Sequence, residues 1–185
     1  MKQIQAITLK SDAEMQTIQQ DTIQQSIALK VNPTQLAQVK ADLYRQGLGD
    51  KEVEDRSESI IKFATVTGTK VQSATKIITT ALQNDLVASA EKAMDVLTAL
   101  GDSAATTADE IGKGMQKSAA AAKVAGVSYE ELASMLTIIT SKTQLGGTQA
   151  GTALTAIFNR MHRVTANNLV ADQNGEITSI NDVEK

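Results

Sequence analysis

The sequence predicts an all-α protein: a bundle of short helices joined by tight glycine turns, with a small β-hairpin near the C-terminal end. Three observations carry that expectation. Apolar residues recur at spacings of three and four along most of the chain. The single proline and the 11 glycines fall mostly between those periodic stretches, where turns need them. Aromatic residues make up only 2% of the chain and Trp is absent, so the core has to come from Leu, Ile, Val, Met and Ala, which let helices approach closely. At 185 residues and 42% hydrophobic, the chain can bury one sizeable core.

The elements follow in order. Residues from Ile4 to Leu29 are rich in Gln, Thr and Ser, and Ile4, Ile7, Met15, Ile18, Ile23 and Ile27 hold no single face for long, so they read as one weakly amphipathic helix. Asn32-Pro33 supplies an N-cap and a proline at the first helical position, with Leu36, Val39 and Leu43 as the buried stripe and Gly47 as the stop. Asp50 is placed to cap the next helix, whose face runs through Val53, Ile60, Ile61 and Ala64 to Gly68. Val71, Ala74, Ile77, Ile78, Ala81 and Leu82 mark a further helix, and Ala90, Ala93, Met94, Leu97 and Leu100 another, with Gly101 as its left-handed end.

Thr107 and Glu110 have capping-box spacing and open a helix through Ile111, Met115, Ala119 and Ala122 to Gly126. Gly112 and Gly114 cost that helix about 1 kcal/mol each against alanine, so they belong near its start or where another backbone comes close. Ser128 and Glu131 repeat the box ahead of Leu132, Met135, Leu136 and Ile139. After a Gly146-Gly147 hinge, Ala150, Ala153, Leu154, Ile157, Phe158 and Met161 form the longest stripe in the chain, and these last two helices are expected to pair antiparallel. Gly147 and Gly151 lie four apart with Ala150 beside them, which leaves bare backbone for a neighbouring helix. Asn174-Gly175 between short alternating segments predicts a hairpin over 169–179, and Ser179 with Asp182 then begins one more helix.

Several function classes are excluded or disfavoured. With no cysteine there are no disulfides, thiolate metal sites or thiol nucleophiles. A net charge of −3 speaks against a domain that grips nucleic acid through broad phosphate neutralisation. No apolar run is long enough for a membrane span, and the N-terminal residues lack the apolar core of a signal peptide. His162 is the sole histidine, and with Arg160 and Arg163 it sits at the end of a helix, where cations complement the dipole. That cluster is the one candidate for contact with DNA or an acidic wall, but it has no aromatic neighbours. Asp172, Asn174 and Gly175 match the middle of a calcium loop, whose first and twelfth positions would be Val170 and Asn181, so a hairpin fits better. One histidine and no cysteine cannot assemble a nucleophile, base and orienting group, so neither catalysis nor a cofactor or metal is expected.

The segment Gly126-Val127-Ser128 with Glu130-Glu131-Leu132, then Gly146-Gly147-Thr148-Gln149-Ala150-Gly151-Thr152-Ala153-Leu154 and a helix ending Arg160-Met161-His162-Arg163, resembles the core region of tape measure proteins of long-tailed phages and prophages. The resemblance covers residues 32–185. Gly126, Ser128, Glu131, Gly147, Ala150, Gly151 and Leu154 carry its packing motif, and it departs at Thr155, where members of that family often carry an arginine. It implies a structural part of the virion tail, assembled in the host cytoplasm, around which tube subunits polymerise and which leaves with the DNA at ejection. The implied partners are tail tube and tail-tip proteins, tail assembly chaperones and further copies of the chain, with transient proximity to phage DNA and no small-molecule substrate.

Three parts are expected: a Gln/Thr-rich helical lead-in over 1–31 that could end a coiled coil, a compact helical core over 32–168, and the hairpin with the start of a further helix over 169–185, where the sequence reads as a fragment of a longer chain. Helices broken this often suit a folded module better than the measuring stretch of a ruler. Two rivals differ in class. A generic helical adaptor or signalling bundle needs sustained heptads, which the glycine stops deny. A non-catalytic part of a chain that also carries a cell-wall hydrolase is the other.

Overall fold

The computed structural model describes residues 1–167, 170–171 and 177–178, with side chains through Met161. Nine helices follow one another among those residues: α1 Lys2–Thr8, α2 Asp12–Ala28, α3 Pro33–Tyr44, α4 Asp50–Thr67, α5 Val71–Gln83, α6 Ala90–Ser103, α7 Ala108–Val124, α8 Tyr129–Thr143 and α9 Gly147–Asn167. Each of them sends at least one buried side chain into a single hydrophobic cluster that runs from Ile4 to Phe158. Alanine supplies much of it, and Ala74, Ala93, Ala122, Ala133 and Ala150 are fully enclosed. Two-residue strands β1 Val170–Ala171 and β2 Ile177–Thr178 pair antiparallel, Val170 opposite Thr178 and Ala171 opposite Ile177. The expected turn at Asp172 to Gly175 and the helix start at Ser179 and Asp182 lie outside the described residues.

The N-terminal stretch departs from one continuous helix. Leu9 adopts a left-handed conformation (φ 55°) that closes α1, and Ser11 opens α2 with a full capping box: its Oγ accepts the Glu14 N–H while Glu14 Oε2 accepts the Ser11 N–H at 2.9 Å. The break lets both short helices lie against α3 and bury Ile4, Met15 and Ile18 in the common core. A strong local cap outweighs the thin helical pattern on either side of it.

Other boundaries follow the expected chemistry. Asn32 Oδ1 accepts the Thr34 N–H at 2.7 Å ahead of Pro33. Gly49, not Asp50, is the N-cap of α4, with Glu52 accepting the Gly49 N–H. Asp50 is freed by this, and its carboxylate takes hydrogen bonds from Lys10 and Tyr44, both at 2.8 Å, tying the α1–α2 turn and α3 to α4. Gly126 follows α7 at φ 74°, where the Val127 N–H reaches back to the Ala122 carbonyl and the Gly126 N–H to Lys123, a Schellman closure. The same pair of bonds closes α2 and α5, yet there the left-handed residues are Lys30 and Asp85.

Gly101 does not end its helix. α6 continues to Ser103, and a Cβ on Gly101 would stand 2.8 Å from the Ala108 backbone nitrogen. Close passage of the α7 N-terminus explains that glycine.

Candidate functional site

The stretch that carries the family resemblance folds as α7, α8 and α9, and its centre is the seam between α7 and α9. α9 packs chiefly on α7 and much less on α8, which corrects the expected antiparallel α8–α9 pair. The seam explains why. A Cβ on Gly147 would fall onto the Glu110 carbonyl, and one on Gly151 onto the Gly114 carbonyl, so both helices meet backbone to backbone. Gly114 is closed from the other side as well, with a Leu136 methyl 2.5 Å and the Gly147 carbonyl oxygen 3.0 Å from where its Cβ would stand. Gly112 leaves room for the Ile77 side chain of α5.

The register runs in one direction. Glu110 faces Gly147, Gly114 faces Gly151, and the Thr155 hydroxyl donates to the Lys117 carbonyl at 3.0 Å, so α7 and α9 are parallel, with α8 as the return between them. The single Thr155 proton is shared with the Gly151 carbonyl, 2.8 Å from the hydroxyl oxygen, and the Ser118 hydroxyl donates to the Gly114 carbonyl at 3.0 Å. A threonine at position 155 is thus a seam residue in its own right.

One charged cluster closes the N-terminal end of the seam. Thr107 caps α7 by accepting the Glu110 N–H at 3.2 Å, which leaves the Glu110 carboxylate free to accept both the Lys113 ammonium at 2.7 Å and the Gly147 N–H that opens α9. The Lys113 bond, then the Gly147 N–H, holds that carboxyl below the usual glutamate range. Burial pushes Asp109 upward, but Lys113 and the Ser73 hydroxyl, 2.7 Å away, bring it below its ordinary value. Asp109 and Glu110 together hold Lys113 well above the normal lysine range. A side chain of α7 therefore stands in as the cap of α9.

The second motif residues fix α8. Ser128 Oγ accepts the Glu131 N–H and Glu131 Oε2 accepts the Ser128 N–H at 2.9 Å, as the box spacing predicts. These bonds keep Glu131 below its ordinary value. Behind them Tyr129 is buried and donates to the Ala93 carbonyl at 3.2 Å, anchoring α8 to α6; burial, then Glu130, pushes its hydroxyl well above the usual tyrosine value. The small number of aromatic residues hid that anchor from the sequence reading.

Of the packing residues, Gly147, Ala150, Gly151 and Leu154 line the seam, whereas Gly126, Ser128 and Glu131 shape the α7–α8 turn. The α9 stripe is only half used: Ala150, Leu154 and Phe158 are buried, while Ala153, Ile157 and Met161 are exposed. Met135 on α8 is exposed as well. Arg160 lies on the exposed side of α9, and the side chains of His162 and Arg163 lie outside the described residues, so the cluster is placed only by its helix. Among the described residues no group of three or more His, Asp or Glu is placed to hold a metal, and no helix is long and apolar enough to cross a membrane.

A family model described as phage-related minor tail protein matches residues 19–183. No curated protein and no solved structure matches the chain. The match takes in α3 to α9 whole and the C-terminal part of α2, so it covers both helices of the seam and all of the core except what α1 and the start of α2 add to it. The chain belongs to the phage-related minor tail protein family and is a structural component of a phage tail.

Proposed function

We propose that this chain is the folded module of a tape measure protein, non-catalytic, which organises an end of the tape during tail assembly while an extended stretch elsewhere sets tail length. The observation that carries the reading is the run of short helices closing on one core. The longest, α9, has 21 residues and spans about 32 Å at 1.5 Å per residue, so this segment cannot itself measure a tail. Membership of a phage minor tail family and the Gly126 to Arg163 resemblance support the tape measure assignment. On this reading the module meets tail tube and tail-tip proteins and assembly chaperones in the host cytoplasm, ends in the virion tail, and leaves beside the DNA at ejection.

The test is an in-frame deletion of residues 32–167 from the complete protein in its phage, with tails measured by electron microscopy. Loss of tails altogether is expected, because an organiser is needed before any length is built. Tails that form normally but are shorter in proportion to the residues removed would contradict the reading, since that is how a ruler segment behaves.

A further inference from the structure

We infer that copies of this chain join head to tail, the outer face of α9 of one copy seating in the groove between α4 and α6 of the next. That groove, of about 450 Å³, has an apolar floor that includes Phe63, Val66 and Met94, and a lip that carries Asp95 and Asp102. Val66 is 71% exposed, an unusual position for a valine on a helix that otherwise turns its apolar side inward. Neither Asp95 nor Asp102 makes an ion pair among the described residues, whereas Lys62 at the same groove is already held by Glu58 at 2.6 Å.

The occupant has the opposite character. α9 contains no acidic residue, and its outward face presents Ala153, Ala156 and Ile157 next to Arg160. Ile157 is 48% exposed, and Arg160 makes no ion pair among the described residues; Lys117 of α7, whose carbonyl accepts the Thr155 hydroxyl of α9, is exposed and likewise outside any ion pair among them. An apolar strip flanked by cations thus matches an apolar floor flanked by carboxylates. Complementary charge of this kind sets orientation and partner choice, while the apolar centre supplies the hold.

In the head-to-tail arrangement each copy docks its α9 in one neighbour and receives the α9 of another in its own groove, so the contact is heterologous and the assembly grows as an open chain; a two-fold dimer would instead need both contacts to form between the same two copies. Such growth deepens the tail-assembly reading by naming how copies associate, and it can be tested apart from tail length.

The experiment uses the purified full chain and its mass in solution by light scattering over a concentration series. Wild type is expected to show species growing beyond the dimer as concentration rises, with an association constant that falls as salt screens the charges. Val66→Glu in the groove and Ile157→Glu on α9 each lower the association constant at least about tenfold, as expected for a central apolar contact. A mixture of the two variants stops at dimers, because only one intact groove and one intact α9 face remain to meet. Arg160→Glu weakens association, and adding Asp95→Arg and Asp102→Arg to it restores growth. Circular dichroism of each variant checks that helix content is kept, and the charge-exchange set decides the question if Val66→Glu or Ile157→Glu loses it. A wild type that stays monomeric, a closed dimer that does not grow, or association unaffected by these changes overturns the inference.

Discussion

In the α7–α9 seam two backbones meet because side chains are missing, whereas at the junction of α2, α3 and α4 long polar side chains span the gaps. At the junction, Lys10 and Tyr44 both reach Asp50, and Gln25 Nε2 donates to the Glu54 carbonyl. Those arms leave slack: Lys40 is 3% exposed yet makes no hydrogen bond or ion pair among the described residues, and Gln25 Oε1 is buried without a partner. The seam has none, since Gly147, Gly151 and Gly114 are each closed in by backbone or a core side chain. A contact built from absent atoms tolerates no addition, and one built from polar reach can be improved by removing the polarity.

The largest effect expected is at the seam. Gly151→Val would drive a branched side chain into the Gly114 carbonyl, and because the obstacle is backbone it cannot turn aside; a loss of about 3 kcal/mol or more is expected in chemical denaturation. A loss below about 1 kcal/mol would mean the two helices are not in contact there. At the junction the sign reverses. Lys40→Met keeps the length of the side chain, removes a charge that burial disfavours, and should raise stability by about 1 kcal/mol at neutral pH.

Both regions also carry pH signatures, of the same sign but in different pH ranges, since stability rises with pH at each. Burial lowers the Lys40 pKa despite the neighbouring Glu54 and Asp21, so the folded state holds that proton less tightly than the unfolded chain. Wild type should therefore gain stability as pH rises through the depressed value toward the ordinary lysine range, a gain that Lys40→Met should lack. Glu110 is shifted down by Lys113 and the Gly147 N–H, so its contribution is present above the ordinary glutamate value and is lost as pH falls through the lowered one. Glu110→Gln should flatten that acid limb in a pH series of melting temperatures, and an unchanged slope would place the carboxylate outside the seam. The smallest effect is Lys30→Gly, which relieves a left-handed non-glycine residue in a Schellman closure and should stabilise by about 0.5 kcal/mol.

The same contrast explains what could be read from residues alone. Features that depend on neighbours along the chain were legible: the Asn32, Thr107 and Ser128 caps, the glycine at position 126, and the small-residue step at Gly147 and Gly151. The Ser11 and Glu14 box was equally visible by its spacing, but the expectation of one long polar helix obscured it. What depends on distant partners was not legible. Gly101 looked like a helix end because its real reason, the Ala108 backbone, lies across a turn. The partner of α9 was misassigned because proximity in sequence favours α8, while the glycines fit only the carbonyl row of α7. Nothing in the spacing shows that Glu110 would cap a helix 37 residues later, and the breadth of the α9 stripe gave no sign that half of it faces outward.

Parallel backbone contact between α7 and α9 is the claim on which the seam rests, and paired spin labels measure it most directly. The chain has no cysteine, so labels can be set at Lys123 with Arg160 and, separately, at Lys123 with Thr148, all exposed positions. With Glu110 beside Gly147 and Lys117 beside Thr155, the Lys123–Arg160 distance should be the shorter of the two by more than about 10 Å, given a rise of 1.5 Å per residue along α9. Equal distances, or a shorter Lys123–Thr148 distance, would contradict the parallel seam.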